Sequence, residues 1–450
     1  MIDALPPEPP SVPSRKRTWW IAIAVALIVL AGMVVLVWRS GPAPSAAQTA
    51  ASAAPVAVAE PVALPRPAAS APTSQWQAWV TQEATAILKS QTAALLSGNF
   101  EAYLAGSVPG ATAELGRQFR SLRALHVTRF EQTIDGNPWA PRTASGDWRI
   151  ETVADYCLVD SDCATDFAES DTLWRVTPQG LRFTGSRVHN PARACYRCME
   201  GGQTLTRPWQ TTELAAQAGK RTLVAVPIAY RDRLADLSRR VEAAAAIADR
   251  YTVGAGRVDR YRVYLADRAS WKRWYVGAPA DWVAGLAIPT GRDRIETAVA
   301  ADSMTPDFAD ELLRHELAHV STLRNNSFYG RGEVWWLVEG MAEHVALAGA
   351  PGGATQERRD LRKFLRSHKL SSVAVRAPGR TARQTDAAGR YAVGYFALQH
   401  LITKYGRNTV LTFFEQAVQQ GIGLDAASRS ALGRPWKQVD RECAAAVRQL

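Results

Sequence analysis

The chain has no dense block of Lys and Arg, no internal repeat and few histidines, and each lack narrows what it can be. A formal net charge of +11 and a pI near 9.6 by themselves permit nucleic-acid binding. The basic residues, however, are scattered arginines without interleaved aromatics, so no nucleic-acid partner is expected. The charge reads instead as solubility or attraction to anionic envelope polymers. Without a repeat, 450 residues divide into two or three domains with cores of their own. With only seven histidines, any two at metal-binding spacing are either a site or an accident, and the surrounding sequence has to decide.

Charge is also absent or sparse in two N-terminal stretches. Residues 19–38, WWIAIAVALIVLAGMVVLVW, make about 30 Å of uncharged helix, enough to cross a bilayer. Trp19, Trp20 and Trp38 stand where interfacial aromatics belong, and Arg15, Lys16 and Arg17 precede the run while only Arg39 follows it. The positive-inside rule then makes residues 1–18 a cytoplasmic tail and puts the rest outside the membrane. A cleaved signal peptide competes, since SAAQTA offers small residues for cleavage, but the apolar run is longer than a signal core and an uncleaved anchor is expected. Residues 39–74, dominated by Ala, Pro, Ser and Val, cannot bury a core and read as a semi-extended tether.

All five cysteines lie beyond the tether. In an exterior compartment the close pairs read as disulfides, Cys157 with Cys163 and Cys195 with Cys198, leaving Cys443 unpaired. A four-cysteine zinc site is the competing reading, but only one of the pairs has the CxxC spacing.

Two folded regions follow. Residues 75–215 open with helical spacing through Trp76, Trp79, Val80, Ile87, Leu88, Leu95 and Leu96, then a short second helix. Period-two segments come next: RALHVTRFEQTI, DWRIETVADYCLV, DTLWRVT and GLRFTGSRV, with a turn at Pro178, Gln179 and Gly180. Helices before a curved antiparallel sheet make an α+β domain, whose element order resembles the cone-shaped nuclear-transport-factor-like fold. No convergent polar set stands out in it. Residues 225–450 begin with a long helix from about Arg231 to Tyr251, then strands at 261–267, 282–290 and 294–302 around a short WKRWY segment. A helix capped by Thr305 and opened by Pro306 should follow, and the last 45 residues read as two or three small helices closing a helical lobe.

That helix carries RHELAHV, residues 314–320. His315 and His319 share a face at i, i+4 and can grip one metal, while Glu316 is turned about 100° away and can address a water without ligating. A zinc hydrolase needs a third protein ligand. Twenty residues on lies WWLVEGMAEH, 335–344, where Trp335, Trp336, Leu337 and Met341 mark a buried helix in which carboxylates are costly unless paired or metal-bound. Glu339 and Glu343 are again i, i+4: one can ligate while the other accepts the outer N–H of a ligand histidine.

HELAH followed by WWLVEGMAEH resembles the gluzincin branch of zinc metallopeptidases, and is most similar to the peptidase-MA-like group with its WLxEGxAE signature. The resemblance covers residues 225–450. It implies a zincin-type domain, with a mixed-sheet lobe and a helical lobe, that holds one zinc ion. Position by position, it implies His315, His319 and Glu339 as metal ligands, Glu316 as general base and Glu343 as the carboxylate supporting a ligand histidine. It also implies an edge strand that binds substrate backbone, either WVAGLAIP or RIETAVA, and an oxyanion donor among Tyr391, Tyr395 and His400, with Tyr391 matching best. The expected activity is metal-assisted hydrolysis of a peptide or protein, as a metalloendopeptidase or aminopeptidase-like enzyme on a membrane tether. Two other functions stay open: an envelope-binding protein with a structural zinc, and a zinc amidase acting on envelope polymer. Glu316 favours hydrolysis, because a structural site has no use for an acid beside its ligand. His344 faces away from Glu343 at i+1, and His126, His189 and His368 read as structural or solvated.

Overall fold

The structure, a computed structural model, describes residues 63–450 except 144–145, 162, 164–165, 189–205, 255, 276–282, 292–293, 325–331, 349–353 and 380. The apolar run 19–38, most of the tether, His189 and the Cys195–Cys198 pair lie outside the described residues. Among the described residues no helix is long and apolar enough to cross a membrane. Cys157 and Cys163 form a disulfide, and Cys443 is free and buried.

The first region runs as the sequence anticipates, helices before a meander. Helices α1 (Thr73–Ser97), α2 (Phe100–Leu104) and α3 (Thr112–Ala124) precede strands β1 (Val127–Trp139), β2 (Trp148–Leu158), β3 (Asp166–Thr177) and β4 (Gly180–Val188). The four strands pair antiparallel in chain order, and register shifts in β1 and at Leu173/Trp174 bend the sheet. Trp79, Val80, Leu88 and Leu95 of α1 share one core with Trp148, Ile150, Trp174 and Phe183 of the sheet. Helix α3 was not anticipated, and it takes Arg123 and Ala124 from the expected first strand.

After a one-turn α4 (Pro208–Thr211), the chain builds a second sheet from β5 (Leu214–Ala218), β6 (Thr222–Pro227), β7 (Tyr261–Ala266), β8 (Gly285–Gly291) and β9 (Arg294–Ala300). Helices α5 (Leu234–Ala248) and α6 (Arg268–Arg273) lie between β6 and β8 in the chain. The order is β5-β6-β7-β9-β8, with β6, β7 and β9 parallel and both edge strands antiparallel. The sequence reading missed β5 and β6 for a physical reason. All six residues of β6 are buried, so TLVAVP shows no alternation.

Burial on both faces explains that run. Val224, Val263, Leu265 and Val299 pack with α5 and the helices that carry His315 and Glu339, while Leu223, Ala225, Tyr264 and Ala298 pack with the first region through Trp209 and Trp274. This second face also carries charge. Asp166 is paired with Arg262 in a short contact and lies 3.7 Å from Arg294; Glu296 lies 3.6 Å from both Arg207 and Arg262 and accepts from the Tyr275 hydroxyl at 2.9 Å. Asp166, Arg207, Arg262 and Glu296 are all at most 3% exposed. This ionic seam joins the two regions.

The remaining helices are α7 (Ala309–Leu323), α8 (Trp335–Ala346), α9 (Thr355–Ser367), α10 (Gln384–Tyr405), α11 (Arg407–Phe414), α12 (Leu424–Leu432) and α13 (Trp436–Arg448). The expected cap at Thr305 is not formed. Residues 305–308 make a turn in which the Thr305 carbonyl accepts from Phe308 and Ala309, and α7 begins four residues later than Thr305 without a side-chain cap.

Candidate metal centre

Helix α7 places His315 and His319 one turn apart on a buried stripe, at 2% and 0% exposure. From Trp335 to Glu343 every residue of α8 is buried, the pattern of a helix packed on all sides. Its neighbour on one side is α10, and the two backbones meet at glycines: a Cβ on Gly340 would stand 2.5 Å from the Gly394 carbonyl oxygen, and one on Gly394 would stand 2.6 Å from the Trp336 carbonyl oxygen. No other residue pair permits that approach. The crossing sits one residue after Glu339 and three after Tyr391, so it brings both into the same pocket.

The result is a triangle of donors. His315 Nε2 and His319 Nε2 are 3.1 Å apart, and each is 3.4 Å from Glu339 Oε2. Tetrahedral zinc with ligand distances of about 2.0–2.1 Å spaces its donors about 3.3–3.4 Å apart, so the three atoms fit one ion. His315 Nδ1 lies 3.2 Å from Glu343 Oε1, which accepts its N–H and leaves Nε2 as the metal-facing lone pair. Glu316, at 0% exposure, has neither carboxylate oxygen partnered, and Glu339 Oε1 and the Tyr391 hydroxyl are likewise without a protein hydrogen bond. Buried polar atoms in that condition are costly unless a cation or substrate engages them.

The electrostatics agree with the geometry. Burial lowers the proton affinity of both histidines, His319 to about 3, so both imidazoles are neutral, the form that ligates. Burial raises Glu316 far above the usual carboxylate range, and the charges of Glu339 and Glu343 add to it. Glu343 is pushed up to about 8 by burial and Glu339. The pocket is therefore a set of carboxyls that compete for positive charge. The sequence did not reveal that Glu343 also belongs to a second carboxyl group with Glu311 and Glu357, raised by burial to about 8 and about 7.

Of the three candidate oxyanion donors, Tyr391 meets the centre. Its ring lies 6.1 Å from that of His315 and 5.1 Å from that of Trp335, and burial with the nearby Glu339, Glu343 and Glu316 keeps its hydroxyl protonated. Tyr395 is shifted mainly by burial and then by Glu357 and Glu343, while His400 stands nearer Lys404 and Glu442. His344 turns away, toward the Tyr251 hydroxyl and the Gln399 amide. His126 lies in the turn before β1 with φ 55°, and His368 stacks on Phe364.

Between WVAGLAIP and RIETAVA, topology selects the first: β8 is the outer strand and β9 is interior. A Cβ on Gly285, at the start of β8, would lie 2.4 Å from Glu316 Oε1. The bare backbone of the edge strand thus runs directly past the candidate base. Gly285, Gly340 and Gly394 are the positions sequence reasoning missed; a glycine opening an apolar strand and one in each buried helix were the only signals.

No family model and no curated protein matches the chain. Solved structures to which it is similar include native yeast LTA4 hydrolase, at 14% identity and a TM-score of 0.36 over 65% of this chain and 64% of that one. Another is a mutant M1 zinc metallopeptidase from Deinococcus radiodurans bound to a Tyr-Ser-Ala substrate, at 13% identity and a TM-score of 0.33 over 71% of this chain and 94% of that one. The matched region spans under two thirds of the yeast enzyme's length, and likeness at these TM-scores carries no argument about fold or chemistry.

Proposed function

We propose that the protein is a zinc-dependent metallopeptidase of gluzincin type, tethered to a membrane with its catalytic region outside. One observation carries the reading: three donor atoms at zinc spacing, His315 Nε2, His319 Nε2 and Glu339 Oε2, beside a buried Glu316 whose carboxylate has no protein partner. The disulfide Cys157–Cys163 and the apolar run 19–38 after Arg15, Lys16 and Arg17 support the location, since disulfides persist in oxidising exteriors.

His315, His319 and Glu339 would hold the zinc ion, which would supply Lewis acidity toward water and a scissile carbonyl. The protein supplies the rest. Glu316, buried and without a protein partner, takes a proton from the attacking water and delivers it to the departing nitrogen. The Tyr391 hydroxyl, protonated and without a protein acceptor, donates to the oxygen on which negative charge develops. Glu343 fixes the His315 ring. The outer edge of β8, which among the described strands pairs only with β9, offers main-chain hydrogen bonds to an extended peptide, and Gly285 lets that peptide approach Glu316.

The test is Glu316→Gln in the full-length chain. Elemental analysis should find about one zinc in both proteins, while hydrolysis of a broad peptide library should fall by about 10²–10⁴-fold in the variant. Wild-type protein without zinc, or a variant as active as wild type, refutes the proposal.

A further inference from the structure

Positive charge is not spread evenly over the molecule. Residues 354–390 hold ten Lys and Arg against three Asp and Glu, a surplus of seven out of the chain's net +11. Along the sequence these cations alternate with apolar residues and read as scattered, but the helix gathers them. Helix α9 turns Leu361, Phe364 and Asp360 inward, at 0%, 5% and 9% exposure, while Arg359, Arg362, Lys363 and Arg366 are exposed on its opposite side. Spacing of i, i+3, i+4 and i+7 makes them one stripe, and exposed Lys369 follows just beyond the helix end.

The three carboxylates of this segment are engaged elsewhere. Half-buried Glu357 joins Glu311 and Glu343, Asp360 accepts from Gln356 and Lys363, and Asp386 pairs with Arg390 and lies 3.4 Å from His368. Arg362 donates to the Leu450 carbonyl. Arg359, Arg366 and Lys369 make no hydrogen bond or ion pair among the described residues. A lipid surface would want an apolar face to bury, and the one α9 has is spent on the core. Single-stranded nucleic acid would want aromatic platforms beside the charge, and the described residues of 354–390 include no exposed large hydrophobic side chain. A bare row of guanidiniums suits carboxylates strung along a chain.

The stripe also sits close to the chemistry. On the inner side of α9, Glu357 meets Glu343, which accepts from His315, so the stripe stands about one helix diameter, about 10–12 Å, behind the carboxyls of the metal centre. We propose that the outer face of α9 docks an acidic segment of a polypeptide substrate through Arg359, Arg362, Arg366 and Lys369, while another stretch of that substrate occupies the metal centre. That the partner is a substrate rests on the peptidase reading; that the face takes an acidic polypeptide does not.

The first test titrates the chelator-treated full-length chain with an oligo-glutamate of about twelve residues, at about 0.1 M salt, by calorimetry. Wild type should bind it saturably and ignore oligo-glutamine of the same length. R359Q/R366Q/K369Q removes only side chains without protein partners, so it should keep the wild-type Tm and weaken binding about tenfold. K220Q/R250Q/K272Q removes as many exposed cations outside the segment and should weaken it less than about twofold. No saturable binding, or equal loss in the two triple variants, overturns the proposal. So does an oligonucleotide or a soluble short-chain anionic phospholipid that binds more tightly than oligo-glutamate and shows the same loss in the α9 variant. The second test joins about six glutamates to the best-cleaved library peptide through a flexible Gly/Ser linker of about twelve residues. With zinc-loaded protein the extension should lower KM about tenfold at unchanged kcat, and the α9 variant should lose that advantage. Equal KM for both peptides refutes docking of a substrate. Cleavage of neither refutes the peptidase reading, and the oligo-glutamate titration then decides the docking face alone.

Discussion

The protein buries two clusters of ionisable side chains that differ in how far their groups pair with one another. At the metal centre, Glu316, Glu339 and Glu343 crowd around two neutral histidines, and the pocket competes for positive charge. At the seam on the other face of the second sheet, Arg207, Arg262 and Arg294 meet Asp166 and Glu296. The difference teaches that burial alone does not tell a structural cluster from a functional one. The seam's groups mostly find each other across two regions, as a latch does. The centre's groups leave the Glu316 carboxylate and the Tyr391 hydroxyl without a protein partner, as a reactive site does.

Breaking the latch should cost most. Asp166→Ala removes the buried carboxylate that faces Arg262 and Arg294 and should destabilise by about 3–5 kcal/mol, seen as a lowered denaturation midpoint, with the two regions loosening together in hydrogen exchange. Exchange confined to one region would mean that the seam does not couple them. At the centre, Tyr391→Phe should keep its zinc and its Tm yet lose about 10²–10³ in kcat, the usual cost of one oxyanion donor. An unchanged kcat would return Tyr391 to a packing role against Trp335.

Smaller changes sharpen the same contrast. Gly340→Ala inserts a methyl where only backbone fits and should cost about 1–3 kcal/mol, with weaker zinc binding because Glu339 moves with its helix. Zinc affinity equal to wild type would mean that the helix crossing does not hold Glu339 in place. The smallest effect concerns His344, which burial and Arg407 lower to about 4. Because the folded state then binds its proton less readily than the unfolded chain, the stability it contributes is present above about pH 6.5 and is lost as pH falls toward 4. On chelator-treated protein, His344→Gln should flatten the decline between pH 7 and 5 by about 1–2 kcal/mol. An identical pH slope would place the titration elsewhere.

The two clusters were not equally legible in the sequence. The metal-centre residues declare themselves because histidine and glutamate at i, i+4 in apolar helices are chemically conspicuous, and two short segments contain most of the set. The seam is drawn from Asp166, Arg207, Arg262, Arg294 and Glu296, on three strands and a loop, and no local pattern links them. Strand β6 was lost to its own burial, and α7 starts late because a backbone turn at Thr305 replaces the side-chain cap its sequence advertises. The choice of β8 as edge strand needed the pairing order, which depends on contacts between β7 and β9 that no hairpin signal encodes.

The contact between Gly340 and Gly394 also bears on how this pocket can change over time. Where helices meet through side chains, a lineage can widen or narrow a site by exchanging large residues for small ones. Here the spacing is already at the limit set by bare main chain, and nothing is left to trim. The distance between Glu339 and Tyr391 is thus held nearly constant against mutation, and diversity in what the protein accepts has to arise elsewhere, along β8 and the loops around it.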